Sequence, residues 1–347
     1  ASFNTALGVS ALQNNTTASN NTAVGYQAGY FSTTAPNNTA IGYQALRSTT
    51  TGGYNAALGT ASLYNNSTGA YNTSLGVDSL ANNTTASNNT AVGYQAGYSN
   101  TTGGSLTAVG MNSLRANTTG GGSVAVGREA LASNTTGDSN TVVGGYALNQ
   151  NTSGTANTGL GYQALQSNTT ASNNTAVGYH AGFSNTTGTG VTYVGHLAGL
   201  GKTGNYNTAV GKNSLTAAGA GAQNTAVGYD SVQGTTSGAS NSGIGFQSLY
   251  QNTTGSSNTA VGALSGFNNT TGTFNTFVGE FSGYLHTTGV WNTCIGKNSG
   301  YALTTGSKNT IIGGYNGNQG GLDIRTASNY IVLSDGDGNP RLQMSST

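Results

Sequence analysis

The side chains best able to do chemistry in this 347-residue chain are three histidines, eight acids and one cysteine, and their placement argues against a reaction. His180, His196 and His286 lie in different repeat units and at different places within them or in a turn, so they read as incidental surface residues. The acids are scattered, and Arg128-Glu129 reads as a local solvated ion pair. No serine, threonine or cysteine nucleophile stands in a pattern that supplies it with a base. The stretch Asp335-Gly336-Asp337-Gly338-Asn339 has the spacing of a calcium loop. It lacks the later glutamate and the flanking helices of an EF-hand, so a plain turn is expected. Cys294 reads as a small buried hydrophobe. No catalytic residue, metal site or cofactor is expected, and the chain does not read as an enzyme.

Two further residue classes could meet sugars. Asn-x-Ser/Thr triplets recur, as at Asn14, Asn37 and Asn173, and formally match glycosylation acceptors. Tyr26, Tyr43, Tyr94, Tyr162, Tyr179 and Tyr229 recur at equivalent places. Their rings could stack on a glycan, or could pack on one another and pad a subunit contact.

These residues sit in an unusual background. Charged residues are only 5% of the chain and glycine numbers 57, where soluble globular chains carry roughly 25% charge. A net charge of +1 gives no electrostatic footprint for nucleic acid or for an anionic membrane. No apolar run approaches the roughly 18 residues needed to cross a bilayer. A single cysteine excludes an internal disulfide framework. The opening Ala1-Ser2-Phe3-Asn4 has neither an initiator Met nor a signal peptide, so the chain is expected to be a processed form or part of something longer.

The background is a tandem repeat. The glycine that closes each Asn-Thr-Ala-Val-Gly phrase falls at Gly8, Gly25, Gly42 and onward to Gly313, in nineteen units. Every step is 17 residues except Gly195 to Gly211, which is 16. The residue before the glycine is always aliphatic, as in Leu7, Val24 and Ile41. Two before it stands mostly Ala, and three before it Thr except at Ala56, Val124 and Ser242. Four before it stands Asn, as in Asn21 and Asn38, except at Leu106, Ser123 and Val191. Three after it stands a small residue, and four after it Leu, Val or Gly.

Short, alternating, β-branched phrases indicate strands. A unit this short has no room for a helix pair, so the fold class is all-β: a β-solenoid or β-roll of nineteen 17-residue coils. A second short strand is expected after the glycine, as in Gly161-Tyr162-Gln163-Ala164-Leu165. Alternation puts Thr and the aliphatic on one face, read as the core, and Asn, Ala and Gly on the other. Identical residues then form ladders, with Leu7, Val24 and Ile41, Gly8, Gly25 and Gly42, and Asn21 and Asn38 as structural positions. The recurring glycine implies a positive φ, a close backbone approach or the mere avoidance of a clash. With one dependable aliphatic per coil the core looks thin, so the flat strips of Ala and of Ala or Ser are expected to pack against neighbouring chains, giving a parallel homotrimer. Residues 1–313 form the repeat shaft. Residues 314–347 form a C-terminal segment in which Asn329–Ser334 and Pro340–Met344 flank an Asp-Gly turn and read as a hairpin cap.

Asn-Thr-Ala-Val-Gly with a small residue three positions on resembles the head repeat of trimeric autotransporter adhesins, which implies a trimeric β-roll, although that family's usual repeat is shorter. The run Val332-Leu333-Ser334-Asp335-Gly336-Asp337-Gly338-Asn339-Pro340-Arg341-Leu342 is similar to the segment that precedes the self-cleaving intramolecular chaperone of bacteriophage tail fibres and tail spikes. That resemblance implies an extracellular, trimeric virion fibre released by cleavage near Ser345-Ser346-Thr347. Its partners would be a host cell-surface glycan or receptor and other virion tail proteins. The leading expectation is a tail-fibre shaft supporting host attachment, with a bacterial cell-surface trimeric adhesin as the alternative. An ice-binding solenoid ranks lower, because Thr is placed on the face that holds the core aliphatic. A sugar-cleaving solenoid ranks last, for want of clustered carboxylates.

Overall fold

The computed structural model describes residues 2–345; Ala1 and the expected release point at Ser346 and Thr347 lie outside them. The chain divides into two compact units, Ala1–Asn174 and Thr175–Thr347. Each is a parallel β-solenoid, and no helix occurs among the described residues. The first unit carries ten three-residue strands, β1 (Thr5–Leu7) to β10 (Thr158–Leu160). The second carries nine more, β11 (Thr175–Val177) to β19 (Thr310–Ile312). Two short strands, β20 (Asn318–Gln319) and β21 (Leu322–Asp323), then pair antiparallel. The hairpin is β22 (Tyr330–Ser334) and β23 (Pro340–Ser345); β22 also extends the parallel sheet by pairing with β19.

Successive coils pair without slippage. Thr5 lies beside Thr22, Ala6 beside Ala23, and Leu7 beside Val24, which in turn lies beside Ile41. Each coil contributes one strand, not two. The expected second strand is a chain of turns in which every other residue is left-handed, as at Gln163 (φ 56°) and Leu165 (φ 51°).

The faces are the reverse of those expected. The middle residue of each strand points inward: Ala23, Ala91, Ala125 and Ala176 are fully buried. The flanking Thr and aliphatic point outward, with Leu58 47%, Val143 43% and Ile244 43% exposed. Leu7, Val24 and Ile41 therefore form an outer ladder. The strips of Ala and of Ala or Ser expected to meet a neighbour are the interior of the coil instead; Ala28, Ala45, Ser62 and Ser79 are all buried. Alternation fixed which residues share a face but could not say which face is wet, because Asn accompanies Ala and pulls the polarity estimate the wrong way.

Asn belongs inside because its amide is satisfied between layers. Asn21 Oδ1 accepts the Asn38 N–H at 2.8 Å, and Asn38 Oδ1 accepts the Asn55 N–H at 2.8 Å. The Asn38 side-chain amide donates to the Gly52 carbonyl at 2.9 Å. A second buried ladder, seven residues after each glycine, runs through Asn66, Asn83, Asn100, Asn117, Asn134, Asn151 and Asn168. From Asn83 onward each Nδ2 donates to the Oδ1 of the coil before at 2.8–2.9 Å. Buried polar groups are tolerated when fully paired, and here two hydrogen-bonded columns flank the apolar one.

The remaining interior is filled by volume exchange. Where the strand centre is Ala, the residue four after the glycine is commonly Leu, as with Leu46, Leu63, Leu114 and Leu131, all buried. Where the strand centre is large, the partner is Gly: a Cβ on Gly199 would lie 2.5 Å from the Tyr193 ring, and one on Gly283 would lie 2.3 Å from the Phe277 ring. Interiors are packed to near-crystalline density, so a ring at the strand centre leaves no room for a side chain in the neighbouring column. The closing glycine meets two demands at once. Gly110 has φ +127°, and a Cβ there would stand 2.6 Å from the Gly127 carbonyl oxygen.

Candidate functional site

The extended feature that the fold presents to solvent is the outer face of the sheet. Within each unit the Thr and aliphatic columns run along it in register, and in the second the C-terminal strands lengthen it: Ile295 lies beside Ile312, Ile312 beside Leu333, and Leu333 beside Leu342. All four are exposed, as are Ile331 and Met344. In the first unit Ala56 replaces Thr, and the dip so formed, about 250 Å³, is bounded by Thr39, Ile41, Leu58, Thr73 and Leu75. Contiguous exposed apolar surface of this kind marks an interaction site more often than an idle one.

The tyrosine column is exposed too, but it largely covers itself. Tyr26 stacks on Tyr43 with ring centroids 5.3 Å apart, Tyr179 on His196 at 5.3 Å and Tyr229 on Phe246 at 5.7 Å. Tyr162 meets Tyr146 edge-on at 6.1 Å. Tyr94, in the same column, is also exposed. Each stacked ring has one face covered by its neighbour.

No protein-family model matches the chain, and no curated protein is similar to it. The functional reading therefore rests on geometry and on the sequence resemblances.

The residues of chemical interest are not gathered into a centre. Among the described residues no three of His, Cys, Asp and Glu stand close enough to hold a metal ion. Arg128 and Glu129 face each other at 3.7 Å on the surface. Cys294 is fully buried at a strand centre, and burial pushes its thiol up to about 12. Asp335 closes the hairpin turn. Its carboxylate accepts the Asn339 N–H at 2.8 Å and the Asp337 N–H at 3.1 Å, and Arg341 Nη2 donates to it at 2.5 Å. Those bonds, the Asn339 one foremost, hold its carboxyl below the usual range. A carboxylate so occupied is a turn closure. No helix among the described residues is long and apolar enough to cross a membrane.

His286 departs from expectation. It is buried, standing in the second Asn column, where its Nδ1 lies 3.0 Å from Asn269 Oδ1 and its Nε2 lies 3.1 Å from Asn292 Nδ2. Burial pulls its pKa down to about 4. Lys202 occupies the same column and is also fully buried. Reading only the columns nearest the glycine misses both residues. The recurrence of Asn at Asn66, Asn83, Asn100 and Asn117 was the signal that would have found them.

Proposed function

We propose that the chain is a shaft segment of a homotrimeric attachment fibre, most simply a bacteriophage tail fibre, in which the outer Thr/aliphatic sheets of three copies face a common axis. The observation that carries this reading is the register of exposed aliphatics within each unit, Leu58 beside Leu75 in the first and Ile295, Ile312, Leu333 and Leu342 in succession in the second. Apolar area removed from water contributes about 25 cal/mol per Å², and most coils offer another Thr/aliphatic pair to the contact. The resemblance of Val332–Leu342 to the segment preceding a tail-fibre chaperone supplies the biological setting. An extracellular, virion-borne location follows from that setting, with a bacterial surface adhesin as the other fibre reading. Native mass spectrometry tests the assembly. A mass near three times 34.5 kDa, falling to one chain in Val143→Glu/Ile244→Glu, supports it. A wild-type monomer refutes it.

One observation favours a second reading. Thr is on the outer face, so the objection to an ice-binding surface falls away. A flat, in-register Thr column beside an aliphatic one could order water. Thermal hysteresis from a monomeric wild-type chain would establish that reading, and its absence would remove it.

A further inference from the structure

The aromatic ladder in the second unit ends at a groove that the shaft reading does not use. Tyr250, Phe267, Tyr284 and Tyr301 stack in succession, with centroids 5.1, 5.3 and 5.2 Å apart. The column stops at Tyr301, because the chain leaves the repeat after Gly313 and the equivalent position is Asn318, in a different strand. Tyr301 instead borders an open groove of about 480 Å³ between the last coils and the hairpin turn, together with Lys297, Asn298, Asn316, Gln319 and Asp337. That volume lies within the roughly 300–1,000 Å³ typical of small-molecule clefts.

The polar groups of the groove are unevenly committed. Lys297 is paired with Glu280 at 3.0 Å, so its charge is already balanced. Gln319 Nε2 is spent on the Asp337 carbonyl at 2.7 Å. Asn316 Oδ1 accepts the Asn318 N–H at 2.9 Å, which leaves its Nδ2 as a donor. Among the described residues the side-chain amide of Asn298 and the carboxylate of Asp337 have no partner, while the neighbouring Arg341 is held by Asp335. The groove therefore combines an aromatic ring, amide donors and one uncompensated carboxylate.

We propose that this groove binds a neutral oligosaccharide. A sugar ring has an apolar C–H face suited to an aromatic wall and vicinal hydroxyls that both donate and accept. The carboxylate of Asp337 would accept from one hydroxyl, and Asn298 or Asn316 would donate to its neighbour. The uncompensated negative charge selects against sialylated or sulfated glycans. The biological role of the site rests on the attachment reading; its geometry does not, since every lining residue belongs to one chain.

The test uses the full chain on an array of neutral, sialylated and sulfated oligosaccharides, followed by titration calorimetry with the best neutral binder. Neutral glycans are expected to be retained. Tyr301→Ala is expected to weaken binding at least tenfold, and Asn298→Ala, which leaves the aromatic ladder intact, to weaken it several-fold. Tyr26→Ala, in the other unit, should leave it unchanged. Binding should persist in Val143→Glu/Ile244→Glu, so failure of the trimer and failure of the groove are read separately. Retention of no neutral glycan, preference for acidic ones, or binding indifferent to both Tyr301→Ala and Asn298→Ala would overturn the proposal.

Discussion

The ammonium of Lys202 donates to the main-chain carbonyl of Thr235, two coils further along the solenoid. The coil that begins at Gly195 is one residue short, and the same column in the following coil holds Ala218, which has no side chain to continue the ladder. The lysine stem spans that layer. Beyond it the ladder resumes, with Asn252 Nδ2 donating to Thr235 Oγ1 at 3.3 Å. Burial pulls the Lys202 amine down to about 8. Its ordinary value is near 10.5, so the unfolded chain binds this proton more tightly than the folded one. Stability is then full above pH 10.5 and falls as pH drops towards 8, by about 3 kcal/mol. Lys202→Met keeps the stem and removes the charge. The difference in unfolding midpoint between wild type and Lys202→Met should narrow steadily from pH 8 to pH 10. A constant difference over that range would contradict a buried, charge-penalised amine.

Acid should destabilise the second unit through His286. Asn292 donates to Nε2, and this amide cannot turn over, because its Oδ1 accepts the Asn309 N–H at 3.0 Å and its Nδ2 also donates to the Gly306 carbonyl at 2.8 Å. Protonating Nε2 would set two donors against each other. The folded pKa, about 4, lies below the unfolded 6.5. Stability is therefore complete above pH 6.5 and is lost as pH falls towards 4, by about 3 kcal/mol. His286→Asn restores the ladder residue. Thermal melts at pH 7 and pH 4.5 should show a smaller acid-induced drop for the variant than for wild type.

Removing one rung of an Asn ladder should cost more than removing a surface polar group. Asn117 donates to Asn100 Oδ1 and to the Gly120 carbonyl, both at 2.9 Å, and accepts from Asn134 Nδ2 at 2.8 Å. Asn117→Ala orphans these buried partners and is expected to destabilise by about 1–3 kcal/mol or more. Thr119→Ala, two residues away and exposed, should change little. Urea titration of both variants makes the comparison.

The glycine column should be equally intolerant. Gly110→Ala combines a φ that L-residues rarely adopt with a Cβ driven into the next coil's carbonyl. Strain alone costs of order 1–3 kcal/mol. Gly336→Ala, with no atom within 4 Å of the added carbon, should be neutral. Equal melting temperatures for the two variants would contradict the close approach seen between Gly110 and Gly127.

Much of this was legible in the sequence. The spacing of Gly8, Gly25 and Gly42 is enough to infer a coil, and the Asp-Gly turn at Asp335 marks the hairpin. What escaped is the polarity of the coil. A reader who ranks Val above Ala for burial turns Val24 inward and Ala23 outward, whereas the strand centre of this narrow coil is mostly Ala and takes a ring, as at Tyr193 and Phe277, where the neighbouring column is Gly. The second Asn column escaped because Asn117 and its equivalents sit among turn residues, where Asn is ordinary. The exchange of Leu for Gly against a larger strand centre, as at Tyr193 and Gly199, is visible only once the two columns are known to touch.

Within each unit the hydrogen bonds of a coil reach chiefly the coil before it and the coil after it. Stability in such an array is a sum over neighbours. An in-frame gain or loss of one repeat's codons would thus leave the surviving interfaces chemically unchanged. Recombination between near-identical repeats can then lengthen or shorten the protein without passing through a misfolded ancestor. The Gly195–Gly211 coil, one residue short, would break that equivalence of repeats, and it carries Lys202, whose long side chain spans the Ala218 layer.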